Sequence, residues 1–257
     1  MPPHAYIALT TSGDPNRAHL RVYDPPMRLD HSVGFLVAAA LLVPASATAQ
    51  GIVVDQGRFA VSFRGASAGT EDFSIRRAGL GREEAIFANA TVALTREGLP
   101  QEIRPLLRAT PPNGVASEYQ VEVVGADAVD LGLRRVGRRY VATIHSEIGE
   151  EQREFQAEPD TWILEADVAH LYYFLRDARE GSITPVVVPR ARIRLELTAG
   201  ASTDEDLRVG STVLPARRIE FSAGEDHRIV WFDRLGRVLR VEIPATGYVA
   251  ERTDVLR

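Results

Sequence analysis

The sequence predicts a mainly β protein: a single, highly curved antiparallel sheet, a half-barrel or open barrel, with one principal helix. Three observations carry this. Residues 218–243, RIEFSAGEDHRIVWFDRLGRVLRVEI, read as a β-meander of three alternating runs separated by two turn signals. Ile219 and Phe221 share a face of the first run, His227, Ile229 and Trp231 of the second, and Leu239, Val241 and Ile243 of the third, as a period of two requires. Ala223-Gly224-Glu225-Asp226 and Asp233-Arg234-Leu235-Gly236 supply the Gly and Asp that tight hairpins need. Similar short runs recur at regular spacing from residue 52 onward, the pattern of one sheet curling on itself. Only residues 167–181 break the rhythm with helical spacing.

Taken in order, residues 58–64 and 70–76 alternate around Gly65-Ala66-Ser67-Ala68-Gly69 and form a hairpin. Residues 86–94 make a further strand. Residues 103–109 carry Pro105, which lacks a backbone donor and points to an edge or a strand end. Residues 119–124, 139–145 and 151–158 continue the series. In the helical stretch Asp167 fits an N-cap, Val168, Leu171, Tyr172 and Leu175 recur on one face, and Gly181 is the stop, giving about three turns. Residues 183–188 and 191–197 return to strand pattern. Residues 202–206 read as a polar loop, and residues 248–252 add a last strand.

The N-terminal part reads as targeting sequence. A short polar start at Met27, an apolar core from Val33 to Val43 and the site Ala47-Thr48-Ala49 have the form of a signal peptide. The apolar run is too short for a bilayer helix, which needs about 20 residues. Residues 1–26 read as a leader upstream of a start at Met27 or removed with the signal, 27–49 as the signal peptide, and 50–257 as one β-rich domain. The expected location is the periplasm or the extracellular space, with no stable membrane span after signal removal. The chain has no Cys, so the exported form relies on its core alone. Its formal charge of −5 gives no electrostatic footprint for nucleic acid. Every basic residue is Arg, dispersed among Asp and Glu, which reads as codon bias and solvated strand faces.

Three blocks carry a family resemblance. They are G-R-F-x-V-x-F-x-G-x-x-x-G at Gly57 to Gly69, D-V-x-x-L-Y-Y-x-L-R at Asp167 to Arg176, and V-W-F-D-x-x-G-R-V-L-R-V-E-I-P at Val230 to Pro244. In this order they resemble exported bacterial domains of unknown function. The resemblance implies a curved antiparallel sheet wrapped around a helix, in the manner of the lipoprotein-carrier half-barrels. It implies no reaction and no catalytic residues.

Motifs for chemistry are few. Gly65-Ala66-Ser67-Ala68-Gly69 matches the G-x-S-x-G nucleophile elbow, which makes a serine hydrolase at Ser67 a remote alternative. That elbow requires a helix after the serine, and residues 70–76 alternate as a strand. His145, His170 and His227 show no ligand spacing for a metal, and no cofactor is implied. The acidic residues fall in turns, where solvation is their ordinary state. The aromatics gather in and around the helix and the meander. Trp162, Tyr172, Tyr173, Phe174 and Trp231 are the candidate ligand-binding residues, lining a cleft for an apolar small molecule or lipid wherever the sheet is wider than the helix fills. The competing reading is that they complete the core.

The sequence therefore points to a non-catalytic exported protein. It is either a binding module for an apolar or lipid-like envelope molecule, or a structural or assembly partner of an envelope protein with no small-molecule ligand. Export is tested directly: N-terminal sequencing of the secreted form is expected to begin at Gln50, and a mature protein that retains Leu42 contradicts the cleavage site.

Overall fold

The computed structural model describes residues 51–111 and 114–254. The leader and signal-peptide expectations lie outside the described residues. Eight strands run in sequence through the first half: β1 (Ile52–Phe63), β2 (Ala66–Ala78), β3 (Ala85–Arg96), β4 (Leu99–Thr110), β5 (Val115–Gly125), β6 (Val129–Val136), β7 (Arg139–Ser146) and β8 (Gly149–Gln156). Eight more follow: β9 (Trp162–Ile163), β10 (Ile183–Val188), β11 (Ile193–Ala199), β12 (Thr203–Val209), β13 (Thr212–Ala223), β14 (Asp226–Phe232), β15 (Val238–Ile243) and β16 (Tyr248–Arg252). All belong to one sheet, ordered β8-β7-β6-β5-β4-β3-β2-β1-β16-β15-β14-β13-β11-β10-β9, with β12 paired to β13 off this path. Pairing is antiparallel except between β9 and β10.

The two free ends of the path approach each other through side chains instead of a backbone ladder. Arg192 beyond β10 pairs with Glu151 on β8 at 3.1 Å, and Arg194 on β11 pairs with Glu158 at 2.6 Å. The Tyr140 hydroxyl of β7 is shared between the carbonyls of Ala116 and Thr161, at 2.9 and 3.1 Å. The sheet is thus an open, curled barrel, and its inner face carries the alternate residues that the period of two selects, such as Ile103, Leu107 and Ala109 on β4.

Pro105 does not mark an edge. β4 lies between β3 and β5, but its ladder to β3 is interrupted at the proline: pairing runs from Ile86 with Ala109 to Asn89 with Leu106 and resumes at Val92 with Ile103. The missing donor falls in that gap, while on the other side Pro105 keeps its register with Val121 of β5. Gly69 marks the closest backbone approach, since a Cβ there would lie 1.9 Å from the Ala93 carbonyl oxygen, and its φ of +151° suits glycine.

The expected three-turn helix is shorter and tighter. Residues His170–Leu175 form a 3-10 helix, every one of them buried inside the curl. Asp167 does not cap it, because its carboxylate is engaged by Arg190 and Arg96. The free N–H groups are met from the sheet. The Glu71 carboxylate of β2 accepts the backbone N–H of Ala169 at 2.7 Å and of His170 at 2.9 Å, and lies 2.7 Å from His170 Nδ1. Glu71 and His170 are fully buried. This segment plugs the barrel.

The meander holds, with a change at its third strand. Phe232 pairs with Val238 and Trp231 with Arg240, so Leu239 is the extra residue of a β-bulge. Val238, Val241 and Ile243 face the main core, whereas Leu239 joins Trp231, Val209 and Ala216 in a separate cluster. Residues 202–206, expected as a loop, largely belong to β12. That strand is polar because its hairpin with β13 buries only one end, around Val209.

Replacing Glu71 by Leu leaves two buried N–H groups without an acceptor and is expected to cost about 2–5 kcal/mol in urea denaturation. Glu71→Gln, which keeps one acceptor oxygen, is expected to lose less.

Candidate functional site

The structure brings four of the five candidate aromatic residues together. Trp162 stacks on Phe174 at 5.6 Å, and Phe174 meets Tyr173 edge-on at 5.5 Å. Tyr172 lies in the same core and its hydroxyl accepts a bond from Arg228 Nη1 at 3.0 Å. Burial raises its pKa, against the opposing charge of Arg228. The chain covers this cluster itself. The Arg176 guanidinium lies 4.0 Å over the Tyr173 ring, and Gly114, where a Cβ would come within 3.0 Å of both rings, seats its backbone against Trp162 and Phe174. Trp231 is elsewhere, in the outer cluster, where its indole N–H donates to Glu205 and Arg240 lies 5.2 Å over its ring. Its two-residue periodicity with Ile229 is correct, but that face is the outer one; Arg228, Val230 and Phe232 point inward.

Ser67 sits on β2, and the chain continues from it as strand through Ala78. The strand-turn-helix context of a nucleophile elbow is absent. His145, His170 and His227 are each beside a different glutamate, Glu150, Glu71 and Glu220, and do not converge.

The polar groups that do converge were not singled out by sequence. They lie at the end of the barrel where the turns after β1, β3, β5, β7 and β15 gather, around the segment that leads from β9 into the plug. Glu165, almost fully buried, accepts bonds from the Tyr119 hydroxyl at 3.3 Å and from Arg190 Nε at 3.1 Å. Arg190 also donates to Asp167, which lies 3.4 Å from Arg96. Burial, and secondarily Asp167, outweighs Arg190 and pushes the Glu165 carboxyl up to about 7. Burial, reinforced by Glu165, raises Tyr119 well above its usual range. Burial opposes the charge on Arg190, but Glu165 and Asp167 outweigh it and keep the guanidinium protonated.

Arg190, Asp167 and Arg96 of this cluster form one wall of an open hollow of about 400 Å³ at the barrel mouth, with Glu165 and Tyr119 behind them. Leu131, Ile144 and Val129 give it an apolar side; Gln101, Asp127 and Glu147 give it a polar rim. A second hollow of about 490 Å³, lined by Phe63, Ala66, Ala68 and Ala245, opens at the same end. Arg96 stands between the two, stacked 3.9 Å over Phe63. The sequence signal for the wall was Glu165-Ala166-Asp167, two carboxylates inside the otherwise apolar run from Trp162 to Leu175. Charges in such a run call for buried partners.

No family model matches the chain, and no curated protein matches it. Among solved structures, the chain is similar to a β-barrel-like protein of domain of unknown function DUF1849 from Brucella abortus, with a TM-score of 0.50 and 7% identity over 77% of this chain and 94% of that one. A DUF1089 family protein from Pseudomonas aeruginosa matches with a TM-score of 0.40 and 15% identity over 68% and 90% of the two chains. The first of these shares the curled β-barrel-like fold, and no more than the fold.

The raised carboxyl of Glu165 has a sign that can be measured. Between its ordinary value of 4.5 and about 7 the folded protein holds this proton more tightly than the unfolded chain does, so its contribution to stability is present below pH 4.5 and is lost as pH rises through 7. Urea denaturation across this window is expected to show a decline of up to about 3 kcal/mol that Glu165→Gln removes.

Proposed function

We propose that this chain is an exported, non-catalytic binding module for an apolar or lipid-like envelope molecule, and that the molecule is held at the barrel mouth. The observation that carries this is the hollow of about 400 Å³ with Leu131 and Ile144 on one side and fixed charges on the other. Its volume lies within the range of small-molecule sites, roughly 300–1,000 Å³. An amphipathic molecule would lay its apolar part on these side chains and its polar end at the rim. Arg190 and Asp167 serve in this reading as a rigid wall, since each is already paired, with Glu165 holding Arg190 from behind. The signal-peptide pattern supports delivery to the envelope.

A second reading has specific support. The plug and the Trp162, Tyr173 and Phe174 cluster fill the barrel with the protein's own side chains, as expected of a structural or assembly partner that binds no small molecule.

One experiment separates them. The environment-sensitive probe N-phenyl-1-naphthylamine is titrated into the protein and into Ala128→Trp, a half-buried position lining the mouth where an indole fills the hollow. The binding module is expected to take up the probe and to lose at least 10-fold in affinity in Ala128→Trp with an unchanged melting temperature. In the second reading wild type takes up no probe. Tyr173→Ala is expected to cost about 3 kcal/mol or more in stability, because the ring is covered on both sides.

A further inference from the structure

The chain passes the barrel mouth twice, on its way into the plug and on its return at the end of β10, and one cluster ties the two passages together. Glu165 and Asp167 stand on the way in, and Arg190 follows β10 on the way out. Arg190 donates its backbone N–H to Glu165 at 3.4 Å, Nε–H to the same carboxylate at 3.1 Å and Nη2–H to Asp167. Tyr119 joins the β5 wall to the cluster through its hydroxyl on Glu165. Backbone pairing at this point is thin. The β9 and β10 ladder is two residues long, Leu164 N–H donates to the Val187 carbonyl at 3.1 Å, and Glu165 and Val168 make an isolated bridge. Much of the hold on the plug's entry therefore falls to side chains.

The charges in the cluster do not match one to one. Glu165 and Asp167, both buried, share the Arg190 guanidinium; the second arginine, Arg96 of β3, is 45% exposed and pairs with Asp167 at 3.4 Å. Like charges confined to a desolvated cluster favour keeping one proton between them. Burial and Asp167 act on the Glu165 carboxyl in that sense, against Arg190. Tyr172 of the plug and Tyr248 of β16 also lie within electrostatic reach of Asp167. One further titratable pair acts on the same segment: Glu71, beside His170, holds the N–H groups of Ala169 and His170.

We infer that Glu165, Asp167 and Arg190 form a proton-operated latch, which shuts the plug's entry while the carboxylate pair keeps its proton and loosens locally, with the sheet intact, once the proton is lost. This goes beyond the proposed function and does not depend on a ligand at the mouth. An opening that brings Glu165 into water becomes about tenfold more favourable per pH unit from 4.5, where the exposed carboxyl titrates, to about 7, where the buried one does, and then levels off. The thin pairing on either side of Glu165 lets such an opening stop short of the ladders of the main sheet.

The test is hydrogen exchange of the full chain, read by mass spectrometry on residues 164–175 and on β4 as a central-strand control. After correction for the intrinsic pH dependence of amide exchange, protection of 164–175 is expected to fall at least about 10-fold between about pH 5 and about pH 7.5. That exchange is expected to respond little to sub-denaturing urea, because a local opening exposes little surface, whereas β4 should show a steep urea dependence. Glu165→Gln, which stays neutral, is expected to remove the pH dependence. In Asp167→Asn, which takes away the like charge, the fall is expected to level off at a lower pH. If 164–175 matches β4 in protection and urea dependence, the opening is global and the latch is overturned. It is equally overturned if wild-type protection does not change with pH, or if Asp167→Asn leaves the pH of levelling unmoved. If Glu165→Gln keeps the full pH dependence, the proton belongs to another group, such as the Glu71 and His170 pair, and the latch fails.

Discussion

The Glu71 carboxylate holds the structure together at its centre. A curled sheet of this width encloses more space than its own inward side chains fill, and the 3-10 segment supplies the rest. So short a helix cannot satisfy its own first donors, and here no neighbouring side chain caps it. Glu71 reaches it from β2, takes two backbone donors and sits beside the His170 ring. Bonds to an ionised acceptor count for roughly 1.5–3 kcal/mol each. The placement of Phe73 on His170, at 5.7 Å, and of Phe59 on Phe73, at 5.1 Å, follows from where that carboxylate puts the ring.

Alternation made most of the fold legible. Each strand that buries one face, such as β3 or β13, declares itself by its period, and the turn residues of the meander fall where the hairpins turn. What alternation cannot report is which face looks inward once the sheet is curved. Trp231 and Ile229 satisfy the pattern and face out, because the β12 and β13 hairpin provides them with a second small core. The bulge at Leu239 moves one residue across the sheet, and no local signal foretells it. β6, with Gly132 inside it and arginines at Arg134 and Arg135, has too weak a pattern to stand out alone and is held by its two neighbours.

The site was less legible than the fold for a related reason. Arg190 and Tyr119 lie 25 and 46 residues from Glu165 in sequence, and only the curl brings them within reach. Glu71 was visible in principle, as a carboxylate sharing a face with Phe73 and Ile75. The exclusive use of arginine, which reads as composition, acquires a structural meaning at several positions. Arg252, Arg228 and Arg190 each spread several donors over partners at different angles, Arg252 over the Asp55 carboxylate and the carbonyls of Gln56, Val238 and Asp254. A lysine ammonium has neither the reach nor the planar fork for this.

The strand order divides the sheet into two arms, β1 to β8 and β9 to β16, and one pairing, β1 with β16, joins them. Within the first arm each strand finds its partner through a short turn. The seam instead closes a loop of nearly the whole chain: Asp55 and Arg252, its buried ion pair, are 197 residues apart. By loop-closure entropy such a contact costs about 3–4 kcal/mol more than closing a four-residue turn. Contacts of such sequence separation are the kind that slow folding. A mismatch of one residue at the seam would turn every side chain of β16 to the wrong face. Burial already opposes that slip, which would expose Tyr248 and Ala250 and bury Glu251. A buried carboxylate and guanidinium that are satisfied together in a single alignment add to this, so the Asp55 and Arg252 pair reinforces the one register in which the two arms meet.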